Sequence, residues 1–243
     1  MNILDAAKDI IKHTASLGFI EIVKVIGTPT DAKIETKDSD NTVIIYGSMD
    51  QPILGLESTV GLSRLGILKG YIGLHDGSTV SVVTEGANNV PAELLFDNGA
   101  EFTCNYRFMA EAVVNDQIKV PPFKGATWDV TIAPNKASIG RMSETGGVLG
   151  GFEKRFTVTV DKGTLKFNIG SGPTDRLTVP FATNVTGTLK HQWSYPLAQV
   201  QSILKLTDGA KSASMSFSDM GALKIEIDSG LGVYTYILPA GRA

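Results

Sequence analysis

Three histidines and one cysteine are the residues of this chain best suited to acid–base, nucleophilic or metal chemistry. His13, His75 and His191 stand too far apart to follow a metal-ligand spacing, and Cys104 has no base near it in sequence to take its proton. The glycine-rich run 146–151 matches neither of the phosphate-cradling loop patterns. No catalytic residue, metal ligand or cofactor site is expected, and the chain reads as a non-enzyme that works through its surfaces.

The chemistry that remains is charge. The 22 Lys and Arg against 25 Asp and Glu leave a net charge of −3, which excludes a generally basic nucleic-acid coat yet permits a local basic surface. Cations recur on the polar side of four segments with helical periodicity. In residues 3–17, Ile3, Leu4, Ala7, Ile10, Ile11 and Leu17 form one stripe, with Lys8 and Lys12 opposite beside Asp5 and Asp9, and Gly18 as the stop. A second helix is expected over 57–71 with Arg64 and Lys69, although Gly61, Gly66 and Gly70 each weaken it by roughly 1 kcal/mol. A third is expected over 135–149 with Lys136 and Arg141, its glycine-rich end tending to shorten it. The fourth covers 196–206, with Pro196 at its start, Leu197, Val200 and Leu204 inward, Lys205 outward and Lys211 close by.

Between these segments the period changes from 3.6 to 2. Alternation predicts strands at 19–25, 33–37, 42–46, 79–84, 92–96, 101–108, 128–133, 156–160, 164–169, 176–183 and 185–192. The clearest alternation lies at the end. Met215 and Phe217 alternate with serines, and Leu223, Ile225 and Ile227 alternate with Lys224, Glu226 and Asp228. Gly221 and the run Ser229–Gly230–Leu231–Gly232 supply turns. An antiparallel meander with one apolar face is therefore expected from Ala213 onward.

The segment 114–127 breaks the pattern, and Pro121 and Pro122 favour an extended connector. On either side the order helix, strands, helix, strands repeats. The expected organisation is an N-terminal domain over 1–113, a connector over 114–127 and a C-terminal domain over 128–243, in the α+β class. A single cysteine cannot form an internal disulfide, so a reducing compartment fits. Asp5 and Asp9 interrupt the apolar core an export signal requires, Asn184–Val185–Thr186 is then a chance glycosylation sequon, and Glu57, Arg64 and Lys69 interrupt the most apolar stretch, so no membrane association is expected.

With this organisation in view, the chain resembles the DNA polymerase sliding clamps of the two-domain kind, which include proliferating-cell nuclear antigen and the clamps of large tailed phages. The likeness rests on DVTIAPNKASIGRMSE and RFTVTVDKGTLKFNIG after Trp128, and on the ending KSASMSFSDMGALKIEIDSGLGVYTYILPA. Residues 3–25 fit the opening helix and strand of the first clamp domain, and Met1 leaves no room for a strand before that helix, which favours the phage type. The resemblance implies two similar clamp domains, each with antiparallel sheets outside and two helices inside, assembled as a homotrimer into a ring. It implies encircled duplex DNA, a tethered DNA polymerase and a clamp loader as partners, and a cytoplasmic location, the host's if the chain is phage-encoded.

Carried onto this sequence, Lys8, Lys12, Arg64, Lys69, Lys136, Arg141, Lys205 and Lys211 would face DNA. Val120, Pro121, Pro122 and Phe123 with Tyr236, Leu238, Pro239 and Ala240 would hold a partner's peptide. Mild acidity suits a ring that must slide, because a strongly basic lining would bind phosphates tightly. The competing reading is a β-rich virion or tail component, which has no use for four amphipathic helices recurring in one order.

Overall fold

The computed structural model of the protein describes residues 1–74, 79–99, 101–170 and 175–242, and His75 lies outside them. It divides into two compact units: Met1–Pro121 with Ser229–Tyr234, and Pro122–Asp228 with Thr235–Ala243. The division falls within the expected connector. A short stretch near the C-terminus nevertheless belongs to the first unit.

The first unit opens with helix α1 (Ile3–His13), whose start is capped by Asn2 Oδ1 accepting from the Asp5 backbone N–H at 2.8 Å. Ile3, Ala6, Ala7, Ile10 and Ile11 are buried along one face. A 3-10 turn follows at Ala15–Leu17, and Gly18 closes it at φ 83°, a left-handed conformation that costs glycine little. Strands β1 (Val23–Gly27), β2 (Ala32–Lys37) and β3 (Ile44–Met49) pair antiparallel in sequence order. The first strand starts four residues later than alternation predicted, at Val23.

Residues 57–71, expected as one helix, form two elements. Thr59–Leu62 is strand β4, laid against β1 with Val60 opposite Val25, and helix α2 spans only Leu65–Leu74. Arg64 separates them at φ 50°, outside helical space. Gly61 admits its neighbours so closely that a Cβ there would lie 2.8 Å from Met109 and 2.9 Å from Val114. A helix in this stretch could not offer that approach.

Strands β5 (Thr79–Glu85), β6 (Val90–Asp97) and β7 (Thr103–Arg107) form a separate antiparallel sheet in that order. After them comes helix α3 (Glu111–Gln117), which occupies the start of what the sequence presented as connector. So short a helix is marginal by itself. It is held by the buried Val114 against β4.

In the second unit, β8 (Val130–Ile132) leads into α4 (Lys136–Leu149), capped by Asn135 Oδ1 accepting from the Ser138 N–H at 2.9 Å. The helix runs through Gly140, Gly146 and Gly147 without shortening. One of them is required there: a Cβ on Gly146 would lie 2.5 Å from Gln201 Nε2, which donates to the Met142 carbonyl at 2.9 Å. Strands β9 (Arg155–Asp161) and β10 (Thr164–Ile169) form the expected hairpin, turning on Lys162 and Gly163 at φ 49° and 72°.

Next come β11 (Leu177–Ala182), β12 (Trp193–Pro196) and helix α5 (Leu197–Lys205), then β13 (Ser212–Ser218), β14 (Ala222–Asp228), β15 (Gly232–Pro239) and β16 (Gly241–Arg242). The expected strand at 185–192 is absent from the structure. That stretch passes Gly187 at φ 95° and is tied down by Asp219, which accepts from the Lys190 backbone N–H at 2.8 Å. One sheet has the order β11-β10-β9-β12-β16, and β8, β13 and β14 pair antiparallel beside it in sequence.

The meander is present, and Met215, Phe217, Leu223, Ile225 and Ile227 are fully buried as alternation required. The serine face of β13 is covered too: Ser216 and Ser218 are buried, and Thr131 Oγ1 donates to Ser216 Oγ at 3.0 Å. Aromatic rings fill the centre of this unit. Phe167 lies 4.8 Å from Phe156, 4.3 Å from Phe181 and 6.1 Å from Phe217 between ring centres.

Candidate nucleic-acid interface

Six of the eight cations that the sequence singled out lie on four helices, while Arg64, expected on the second helix, precedes α2, and Lys211 lies between α5 and β13. On α1, Lys8 and Lys12 are exposed one turn apart, opposite the buried stripe. Arg64 and Lys69 are exposed just before and within α2. In the second unit Lys136 and Arg141 are exposed on α4, Lys205 on the last turn of α5, and Lys211 just before β13. The structure thus brings Lys8 with Lys12, and Lys136 with Lys205, into shared neighbourhoods.

The second pair has a defined setting. Where α4 meets α5 and the start of β13, an open groove of about 550 Å³ is lined by Lys136, Ile139, Ser143, Leu204, Lys205 and Asp208, among others. Lys136 Nζ stands 3.4 Å from Asp208 Oδ1, and Lys211 Nζ stands 3.3 Å from Asp228 Oδ2. Exposed pairs of this kind contribute about 0–1 kcal/mol. A phosphate can therefore take Lys136 from Asp208 at little cost.

Behind Lys8 and Lys12, α1 turns a different chemistry inward. Asp9 Oδ2 accepts from the Tyr234 hydroxyl at 2.9 Å and from Ser229 Oγ at 3.0 Å, and His13 Nε2 lies 3.9 Å from Asp9 Oδ1. The imidazole stacks on the Tyr234 ring at 4.1 Å with 7° between planes. Burial pushes His13 down to about 4, with Lys12 adding to the shift, so the ring is neutral at pH 7. Burial likewise raises Asp9, against the opposing hydrogen bonds of Tyr234 and Ser229. An Asp, a His and a Ser so close together could pass for hydrolytic machinery. The cluster is sealed, with Asp9 and His13 buried, and so it braces the fold.

Sequence reasoning missed this cluster, since its partners are more than two hundred residues apart. The i, i+4 spacing of Asp9 and His13 was its one visible trace. His191, in the other unit, lies at the surface 3.8 Å from Asp219. Among the described residues no group of three or more His, Cys, Asp or Glu is arranged to hold a metal ion.

The residues expected to hold a partner's peptide separate by exposure. Val120 is half-buried and Pro121 exposed in the first unit, where the Tyr46 hydroxyl donates to the Pro121 carbonyl at 2.6 Å. In the second unit Pro122, Phe123 and Pro239 are exposed, and Ala240 is half-buried, its N–H donating to the Gly221 carbonyl at 2.9 Å. Phe123 stacks on Trp128 at 6.1 Å, and Lys224 Nζ lies 5.5 Å from the centre of the Trp128 ring. Tyr236 and Leu238 are fully buried. Both side chains pack in the core beneath β15 and present no surface there.

No protein-family model matches the sequence, and no curated protein matches it. Solved structures do. The proliferating-cell nuclear antigen (PCNA) of A. fulgidus, solved with the C-terminal region of FEN-1 bound to it, superposes with a TM-score of 0.72 at 10% identity, covering 99% of this chain and 96% of that one. PCNA from Thermococcus kodakaraensis gives 0.71 at 12% identity over 97% of both chains. PCNA from Entamoeba histolytica gives 0.69 at 12% identity over 98% and 94%. This chain has the sliding-clamp fold from end to end.

Proposed function

With that fold as premise, we propose that the chain is a DNA sliding clamp, which encircles duplex DNA as a closed ring of three copies and tethers a DNA polymerase. The observation that carries the reading is a clamp fold of net charge −3 whose exposed cations recur on the helices of both units. A ring threaded by DNA cannot fall off, so retention is topological and needs no tight contact. Scattered lysines over a mildly acidic body supply non-specific phosphate contacts weak enough to slide.

Association of copies has its own support. Among the described residues β7 is an edge of its sheet in the first unit, and β11 is an edge of its sheet in the second. Pro180, in β11, is a residue that sheets confine to such edges. A head-to-tail contact joining one edge to the other closes into a ring when its rotation divides the circle. Clamp chains also associate elsewhere, as in the PCNA2–PCNA3 complex of Sulfolobus tokodaii. A clamp loader follows from the same reading, since a closed ring must be opened to admit DNA.

The test is primer extension with a polymerase and loader from the same source. Product length per binding event should rise on addition of the protein; no rise at any concentration would sink the reading. In a ring of three copies the Lys12→Glu, Lys136→Glu double variant carries two reversals in each copy, and at one phosphate contact for each reversal we expect the salt slope of DNA binding to fall by about 5. An unchanged slope would remove those helices from the DNA face.

The peptide held by A. fulgidus PCNA supports a docking site on the exposed aromatic and proline side chains of the second unit. Phe123→Ser should weaken polymerase association by about tenfold or more, as loss of an aromatic anchor does, with the melting temperature unchanged. Equal affinity in a pull-down titration would place the polymerase elsewhere.

A further inference from the structure

Helices α1, α2, α4 and α5 each lead into three strands that pair antiparallel in sequence order: β1-β2-β3, β5-β6-β7, β9-β10-β11 and β13-β14-β15. A short strand runs ahead of three of these helices, and each pairs antiparallel with the opening strand of a group it does not lead into: β4 with β1, β12 with β9, and β8 with β13. The opening strands covered in this way are core. Val23 and Val25 of β1, Phe156 and Val158 of β9, and Met215 and Phe217 of β13 are all buried. The fourth opening strand is β5. Among the described residues it is an edge of its sheet, and none of its residues is buried.

The composition of β5 suits a strand paired on both sides. From Thr79 to Thr84 it has no charge and no proline, the devices that keep an exposed edge single, and all but Ser81 are β-branched. Beside the turn that follows β5, a cleft of about 250 Å³ is lined by Glu57, Ser58, Asn88 and Asn89, among others. Glu57 is its one charged residue. Ser58 Oγ is buried and has no hydrogen-bond partner among the described residues. A positively charged donor suits both acceptors.

We propose that the β5 edge docks an extended segment of a partner polypeptide, which adds a strand antiparallel to β5. Its chemistry is set by the chain's own covering strands, which span three or four residues and, in β4 and β8, bury alternate apolar side chains: Val60 and Leu62, Val130 and Ile132. Main-chain hydrogen bonds give the affinity, and the alternate side chains give the selectivity. Because the segment runs antiparallel, its N-terminal end lies by the cleft, so a Lys or Arg just ahead of the apolar residues meets Glu57 and Ser58. A second copy of β5 does not fit this description, since residues 79–89 contain no Lys or Arg.

A fluorescein-labelled synthetic peptide, Arg-Val-Thr-Val-Thr, tests this by fluorescence anisotropy against the full chain. Saturable binding is expected. N-methylation of one alternate set of its amides should abolish binding and of the other set leave it, because only every second amide of an edge strand faces its neighbour. Glu57→Lys should weaken the arginine peptide by about tenfold or more, and the peptide with Glu in place of Arg should then bind that variant better than it binds the unaltered chain. Hydrogen exchange should show β5 amides opening faster than those of β1 in the free chain and slowing when the peptide is added. A peptide that fails to bind, or that binds equally in both methylated forms, overturns the site. So does protection of β5 in the free chain: if it persists on dilution the chain covers this edge itself, and if it grows with protein concentration the occupant is a second copy. None of these outcomes bears on the clamp reading, which primer extension tests separately.

Discussion

Tyr234→Ala is expected to lower the unfolding free energy by about 4 kcal/mol, the usual scale for truncating a buried aromatic residue. The ring is fully buried, stacks on His13 and gives its hydroxyl proton to Asp9. Truncation opens a cavity and also strips a buried carboxylate of one of its two hydroxyl donors. Tyr234→Phe keeps the ring and isolates the second effect, with a loss of about 2 kcal/mol. Urea unfolding measures both, as shifts of midpoint at unchanged slope. A loss below about 1 kcal/mol for the alanine variant would mean that Ser229 alone satisfies Asp9 and that the surroundings collapse into the space.

Acidification should act on the same cluster through His13. Its folded value of about 4 lies below the ordinary 6.5, so between those values the unfolded chain binds the proton and the folded chain does not. The stability this neutral ring supplies is complete above pH 6.5 and falls as pH drops toward 4, by about 3 kcal/mol across the window. Asp9 acts in the opposite sense. Its raised carboxyl takes up a proton in the folded state first, which adds stability as pH falls through that raised value. Lys12, exposed beside both, disfavours the protonated imidazole and favours the carboxylate. The contribution of His13 is read as the difference in slope between the unaltered chain and His13→Gln in urea unfolding at several pH values. Parallel curves from pH 6.5 to 4 would show that the imidazole already takes a proton in the folded state.

Much of the fold was legible because one physical rule, the side-chain period, applies wherever one face is wet. The meander from β13 to β15 and the hairpin of β9 and β10 follow directly from alternation, and α1 and α5 from their apolar stripes. Reading failed where a distant residue overrides the local signal. Gly61, weak evidence for a helix by itself, is a glycine because Met109 and Val114 crowd it, and the same contact creates α3. Gly146, which argued for a shortened α4, is the notch that Gln201 needs. Of the candidate surface, the exposed cations were visible as charges opposite apolar stripes. Tyr236 and Leu238 share the buried parity of β15 with Tyr234, so their period already pointed to the core, and the family likeness was what set them beside the exposed Pro239 as peptide contacts.

Residues Ser229–Tyr234 complete the first unit although they lie at the far end of the chain. Synthesis and folding therefore run in different orders. When Pro121 has left the ribosome, α1 is already made, yet the hydroxyls that Asp9 requires are still unwritten. At ordinary elongation rates the wait lasts roughly 5–25 s. Until it ends, the N-terminal half holds a solvated carboxylate and an imidazole with no tyrosine to lie on. A nascent chain stalled before residue 229 should accordingly be protease-sensitive around α1, and release of the last residues is the event that commits the first half to its final form.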